Sequence, residues 1–110
     1  MAYDEGMATQ MREDLGAPAG LSERRMFGGL CFLLDGNMVC GVHKGGAMFR
    51  VGKTAEADAL ALPGARPMDF TGRKMGGMIE CGAEAYADDA TRQALTQMSL
   101  AHAASLPPKG

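Results

Sequence analysis

The sequence predicts an α+β domain in which helices pack on an antiparallel sheet. Two apolar runs flank Asp35-Gly36, which is typical of a β-hairpin because this dipeptide adopts the positive φ angles of a type I′ turn. Lys44-Gly45-Gly46 marks a second turn, so the strands are expected to form an antiparallel meander. Segments with a helical spacing of apolar residues lie before, between and after the strands. The predicted order is one helix, three strands, one helix, two strands and one helix.

Local signals set the boundaries of these elements. Helices are predicted at 3–15, 54–62 and 88–105, strands at 23–34, 38–43, 47–51, 67–71 and 75–81, and a turn at 72–74. Asp4 and Thr54 are the expected N-caps of the first two helices, and Asp88 or Asp89 that of the third, because their side-chain oxygens accept bonds from free N–H groups. Gly16 is expected to end the first helix.

The first predicted strand contains Gly28-Gly29. This pair favours a bulge or a sharp bend within one long strand, with two short strands as the alternative. The two-residue turn at Asp35-Gly36 sets the register of the following hairpin, and counting back from it puts Cys31 directly opposite Cys40. These two cysteines are therefore expected to share one face of the sheet.

Composition restricts the possible functions. The 110 residues are predicted to form a single domain over 1–110, with a short tail at 107–110. Ten Met, the absence of Trp and the few aromatic residues predict a methionine-rich core built without large rings. The formal net charge of −2 gives no general attraction to nucleic acid or anionic lipid. Because no membrane-spanning segment, signal peptide or disulfide framework is visible, we expect a cytoplasmic protein with reduced thiols.

Several motifs give the chain a family resemblance. They are Arg25-Met26-Phe27-Gly28-Gly29, Asn37-Met38-Val39-Cys40-Gly41-Val42, Arg50-Val51-Gly52, Ala65-Arg66-Pro67-Met68-Asp69-Phe70-Thr71-Gly72-Arg73 and Ser105-Leu106-Pro107-Pro108-Lys109. Together they resemble the N-terminal domain family of TfoX, also called Sxy, the bacterial regulator of DNA-uptake competence. The resemblance covers nearly the whole chain and implies an α-β3-α-β2-α fold with no established catalytic activity. It is to the stand-alone members, which lack the second domain of the regulators.

Cysteine and histidine side chains supply the first candidate site. Cys31, Cys40, Cys81 and His43 form a ligand set that zinc accepts. However, Cys40 and His43 are three residues apart on one strand, so their side chains are expected on opposite faces. We expect buried free thiols, with neither metal nor cofactor. The alternatives are a redox pair of Cys31 with Cys40, and a small-ligand or metal-binding face built by the three cysteines.

Enzymatic chemistry is not expected. A nucleophilic Cys40 needs a base within hydrogen-bond reach, but His43 is predicted on the other face and His102 on a distant helix. Gly52-Lys53-Thr54 resembles the end of a phosphate-binding loop and precedes a helix, yet the upstream glycine of that motif is absent. The glycine pairs are better explained as turns and bulges.

Basic side chains supply the remaining candidate site. The predicted binding residues are Arg24, Arg25, Asp69 and Arg73. Basic side chains on neighbouring strands can form a patch, and Arg25 and Asp69 lie in the family-like motifs. The interpretation favoured over binding is that Arg25 and Arg50 form structural ion pairs with Asp69 or other carboxylates around the sheet. The expected function is a non-catalytic regulatory or protein-interaction module that uses a sheet edge or the sheet face free of helices. Its partner is an unidentified protein or a second copy, and direct DNA binding is the weaker alternative because the chain is acidic.

Overall fold

The structure of the chain is a computed structural model that describes residues 3–26, 28–70 and 73–108. The described helices are α1 (Glu5–Leu15), α2 (Glu56–Leu60), α3 (Ala83–Ala87) and α4 (Asp89–Ser105). The described strands are β1 (Leu21–Met26), β2 (Gly29–Leu34), β3 (Asn37–His43), β4 (Gly46–Arg50), β5 (Ala65–Phe70) and β6 (Arg73–Cys81). None of these helices combines the length and apolar character needed to cross a membrane.

The strands form one six-stranded antiparallel sheet in the order β1-β2-β3-β4-β6-β5. The buried apolar side chains of the four helices all join a single cluster with side chains from one face of the sheet. The α+β prediction is therefore confirmed, with the helices on one face. The predicted order of elements is wrong in two places, at the first strand and before the last helix.

The first predicted strand is a hairpin. Gly28 has φ 72°, a left-handed conformation that suits glycine, and the chain reverses there so that Met26 pairs with Gly29. Gly29 itself leaves no room for a side chain, since a Cβ built on it would lie 1.9 Å from the Val42 carbonyl oxygen. The prediction of one bent strand is therefore wrong: the chain turns at Gly28, and β2 begins at Gly29.

The predicted caps are confirmed for α1 and α4. Asp4 Oδ1 accepts from the Met7 N–H at 3.2 Å, and Asp88 Oδ2 accepts from the Thr91 N–H at 2.9 Å. Thr54 is not a cap, because α2 begins after Ala55 with no side-chain capping bond. The short helix α3 was not predicted.

The turn at Asp35-Gly36 has positive φ at both residues, 51° and 84°, which confirms the type I′ prediction. A β-bulge then shifts the register between β2 and β3: Leu33 pairs with Met38, but Phe32 pairs with Cys40. The extra residue in β3 moves Gly41, not Cys40, opposite Cys31. The predicted Cys31–Cys40 pairing is therefore wrong.

The two faces of the sheet bury different side chains. Among the described residues, the helix-side cluster contains the buried Phe32, Phe49 and Tyr86 together with aliphatic residues of the sheet and helices. The other face carries the methionine cluster, which we define as Met26, Cys31, Leu33, Met38, Met48, Met68 and Met78. All of these except the half-buried Met26 are buried, so the prediction of a methionine-rich core is confirmed for this face. The expectation of a core without large rings is wrong, because three aromatic rings pack on the helix side.

The methionine cluster reaches the edge of the sheet. Met68 belongs to the edge strand β5 and lies on the face away from the described helices, yet only 2% of its surface is exposed. Register shifts lie between β2 and β3 and between Pro67 and Asp69, and strand bulges normally bend a sheet at such positions.

The predicted tail is partly anchored. The Asn37 side chain is buried and its Nδ2 donates to the Pro107 carbonyl oxygen at 2.9 Å. Residues 109–110 of that tail, and the turn residue Gly72, lie outside the described residues.

Candidate functional site

The three cysteines are divided between the two faces of the sheet. Cys31 lies in the methionine cluster, whereas Cys40 and Cys81 lie in the helix-side cluster. The sheet backbone therefore separates Cys31 from the other two thiols. Both alternatives that needed a shared face, the Cys31–Cys40 redox pair and the three-cysteine metal or ligand site, are wrong.

Burial keeps the thiols protonated. It raises the pKa of Cys31 and of Cys81 to about 11, and it also raises the pKa of Cys40. The thiolate is the form that attacks electrophiles and binds metals, and little of it is present at neutral pH. Within the described residues, no three His, Cys, Asp or Glu side chains converge closely enough to hold a metal ion.

His43 is committed to contacts at the end of the sheet. Its Nδ1 accepts from the Gly45 N–H at 3.0 Å, which leaves the proton of the neutral ring on Nε2. Nε2 lies 3.4 Å from Glu80 Oε2 without hydrogen-bond geometry, and Glu80 Oε1 accepts from Arg66 Nε at 3.2 Å. His43 thus faces away from Cys40, as predicted, and offers that thiol no base.

The other proposed base and the phosphate-like motif also have structural roles. The His102 ring packs on Gly52, where a Cβ would lie 2.5 Å from its Nδ1. The Gly52 N–H donates to the Gly77 carbonyl oxygen at 3.1 Å, and the Gly77 N–H donates to Glu56 Oε1 at 3.2 Å. These backbone donors are occupied within the fold, which supports the interpretation of the segment as a bend.

A cavity of about 590 Å³ opens between the loop before β5, helix α3 and the start of α4. Its walls include Pro63, Gly64, Arg66, Ala83, Ala85 and Thr91. Of the described residues that line it, none is a cysteine, so the cavity does not rescue the small-ligand site predicted on the cysteine face.

The predicted binding residues lie on strands from both ends of the sheet order. Arg24 and Arg25 belong to β1 at one end, Asp69 to β5 at the other, and Arg73 to β6 beside it. The side chains of Asp69 and Arg73 lie outside the described residues, and so does the predicted Arg25–Asp69 ion pair. Of the four, only the side chains of Arg24 and Arg25 are described, and both are exposed.

Strand β1 has one hydrogen-bonded neighbour, β2, and its four central residues are exposed. Glu23 is bound by Arg12 of α1 through two contacts, Nε to Oε2 at 2.8 Å and Nη2 to Oε1 at 3.0 Å. The hydrogen bond from Arg12 lowers the pKa of Glu23, and the Arg12 guanidinium also lies 5.9 Å from the centre of the Phe32 ring. Helix α1 is thereby joined to the outer strand.

Comparison with known families decides the identity of the fold. The family model of the TfoX N-terminal domain matches residues 13–103. The chain belongs to this family. The resemblance predicted from the motifs is confirmed, and the match spans every described strand. Comparisons with curated proteins and with solved structures gave no significant match.

The sequence did not reveal the polar centre of this TfoX N-terminal domain. Arg92 of α4 is buried and its Nε donates to Asp14 Oδ2 at 2.6 Å, while its Nη1 donates to the Tyr86 carbonyl oxygen at 3.3 Å. The Tyr86 hydroxyl donates to the Met7 carbonyl oxygen at 3.2 Å. The network joins α1, α3 and α4. An Asp89–Arg92 pair is visible at helical spacing, but the bond to Asp14 links positions 78 residues apart.

Proposed function

We propose that this TfoX N-terminal domain is a non-catalytic regulatory module that binds a protein partner through the exposed edge of β1. The observation that carries the proposal is the state of that strand: it lies at the end of the sheet, pairs with β2 only, and exposes its centre. Edge strands present unpaired N–H and C=O groups, which another chain can use to extend the sheet.

The burial of the open sheet face favours the β1 edge as the binding surface. On the sheet face away from the described helices, the methionine cluster is already buried, so its described residues offer no broad apolar surface to a partner. The non-catalytic part of the proposal is supported by the protonated thiols and by the contacts that occupy His43. Three free, buried cysteines suit a reducing compartment, which supports a cytoplasmic location in bacteria.

Site-specific photo-crosslinking tests the proposal. A photoreactive amino acid replaces Arg24 in one variant and Gln97, an exposed residue of α4, in a matched control. After irradiation in bacterial cells, we expect a discrete crosslinked protein from position 24 and none from position 97. The same products from both positions, or none from position 24, would remove the support for β1 as the binding surface.

A further inference from the structure

We infer that the β1 edge accepts an extended acidic segment of another protein as a seventh strand, in preference to a second copy of this chain. The inference rests on the proposed function and specifies the chemical character of the partner. Three properties of β1 carry it: its free backbone groups, its uncompensated positive charge, and the poor match of the strand to itself.

The two edges of the sheet differ in their ability to take another strand. Alternate residues of an antiparallel edge strand direct both N–H and C=O away from their neighbour, so β1 offers these groups along its outer side. At the opposite edge, β5 contains Pro67, which has no N–H to donate. Within the described part of the chain, β1 is therefore the better template for strand addition.

The charge on β1 is positive on both faces. Arg24 pairs with Cys31 of the methionine cluster and Arg25 with Leu30 of the helix-side cluster, and directly paired residues share a face. The Glu23 carboxylate is already bound by Arg12. Among the described residues, no carboxylate lies within 4 Å of Arg24 or Arg25.

A strand that pairs with β1 therefore meets positive charge whichever way its side chains point. Two consecutive Glu or Asp residues placed opposite Arg24 and Arg25 would form one cross-strand ion pair on each face. Opposite charges in such positions stabilise pairing, and like charges weaken it. The partner is thus an extended segment containing adjacent acidic residues, although the chain as a whole carries a net charge of −2.

Self-pairing fits less well. Two antiparallel copies of β1 are related by a twofold axis perpendicular to the sheet, so one residue of the strand faces its own copy. A register centred on Glu23, Arg24 or Arg25 places like charges directly opposite each other. A register centred on Ser22 avoids this contact but pairs only the first part of the strand. No register pairs the central residues of β1 with opposite charges throughout.

The test uses two synthetic probes. One is a fluorescent, end-blocked peptide Thr-Val-Glu-Glu-Val-Thr, and the other replaces its two Glu with Lys. The wild-type chain is compared with the charge-reversed variant Arg24→Glu/Arg25→Glu, whose substitutions fall on exposed positions and leave the core intact. We expect the acidic peptide to bind the wild type and to slow hydrogen exchange in β1. Its affinity should fall at least tenfold in high salt. The variant should bind the acidic peptide at least tenfold more weakly than the wild type does, and it should bind the basic peptide.

Three results would overturn the inference. The acidic peptide fails to bind, or it binds without protecting β1, or light scattering finds a dimer that the charge-reversed variant loses. In the first two cases, if position 24 also forms no crosslink, the charges only guard an edge strand against unwanted pairing. In the third, the occupant is a second copy.

The outcomes separate the inference from the proposed function. If the peptide fails but position 24 still crosslinks to a protein, the edge binds a partner of another chemistry. If the peptide binds but no crosslink forms in cells, the preference of the β1 edge for acidic strands is supported. The proposal that this edge binds a protein partner in cells is then contradicted.

Discussion

The two faces of the sheet are buried in different ways. The helix side is covered by four described helices and encloses the Arg92–Asp14 ion pair. Among the described residues, the opposite face has no helix in its cluster and is packed with methionine side chains. Methionine is unbranched and fills irregular space, so it suits a face with no described helix above it. A sheet face without helices is therefore not necessarily a free surface.

Gly41 shows how closely the methionine side is packed. A Cβ added to this residue would lie 2.9 Å from Met48 Cε and 3.0 Å from Cys31 Sγ. Because Gly41 has no side chain, Met48 can lie across β3 at this position. The methionine cluster is thus a packed core and not a loose apolar patch, and four sets of substitutions measure how far the two faces differ.

The largest loss of stability is expected on the helix side, from Arg92→Ala. The side chains of Arg92 and Asp14 are only 8% and 14% exposed, and removing one partner leaves an uncompensated buried charge. Urea unfolding should show a loss of about 3–5 kcal/mol. The control is Arg66→Ala, which removes a half-exposed partner of Glu80 and should cost less than about 1 kcal/mol. Equal losses in both variants would contradict a buried polar centre on the helix side.

Met48→Ala tests the packing of the methionine side. Met48 is fully buried, so the truncation should cost about 2–5 kcal/mol, whereas Met48→Leu should cost less than about 1.5 kcal/mol because it conserves volume. The measurement is again the free energy of unfolding. A loss below about 1 kcal/mol for the alanine variant would mean that this face is not a packed core.

Cysteine substitutions test whether the faces are independent. Cys31→Ser and Cys40→Ser each bury a hydroxyl and should each cost about 1–3 kcal/mol. Although Cys31 and Cys40 lie at neighbouring positions of paired strands, their side chains belong to different clusters, so the double variant should lose about the sum of the two single losses. A clear departure from additivity would indicate contact between the thiols across the sheet.

His102→Gln is expected to have the smallest effect, and only at acidic pH. Burial, with help from the charge of Arg50, lowers the pKa of His102 in the folded state. The unfolded chain therefore binds this proton more readily, and stability present above the unfolded pKa of about 6.5 is lost as the pH falls. The variant should lose less stability than the wild type between about pH 7 and pH 5. Measurements at pH 8 give the cost of the substitution itself. If the free energy of unfolding fell equally in both proteins as the pH is lowered, His102 would not be the cause of the acid sensitivity.

Local signals predicted the local features of the fold. The Asp35-Gly36 turn, the Asp4 cap and the Gly16 helix end each depend on a few neighbouring residues, and all three are confirmed. The bulge in β3 could not be predicted, because the register of a hairpin also depends on which face each residue must bury. Because of that single extra residue, Gly41 and not Cys40 lies opposite Cys31, so the predicted cysteine pairing does not form.

Features that depend on distant pairing were also missed. Nothing near β1 shows that it becomes an edge strand, since this depends on the later strands β5 and β6 joining the sheet beside β4 and not beside β1. The Arg92–Asp14 bond spans most of the chain, so helical spacing gave no signal for it. Arg24 and Arg25 were predicted as binding residues from their basic character, but the sequence could not show that they lie together on an open strand.

The bond from Asn37 to Pro107 has a consequence for the kinetics of folding. It joins positions 70 residues apart, and contacts that close such long loops form late because of their entropic cost. We expect the bond to be absent from the folding transition state, so Asn37→Ala should leave the refolding rate unchanged and increase the unfolding rate. Stopped-flow folding in urea measures both. One side-chain amide at the start of β3 would then control how long the folded state persists more than how quickly it forms.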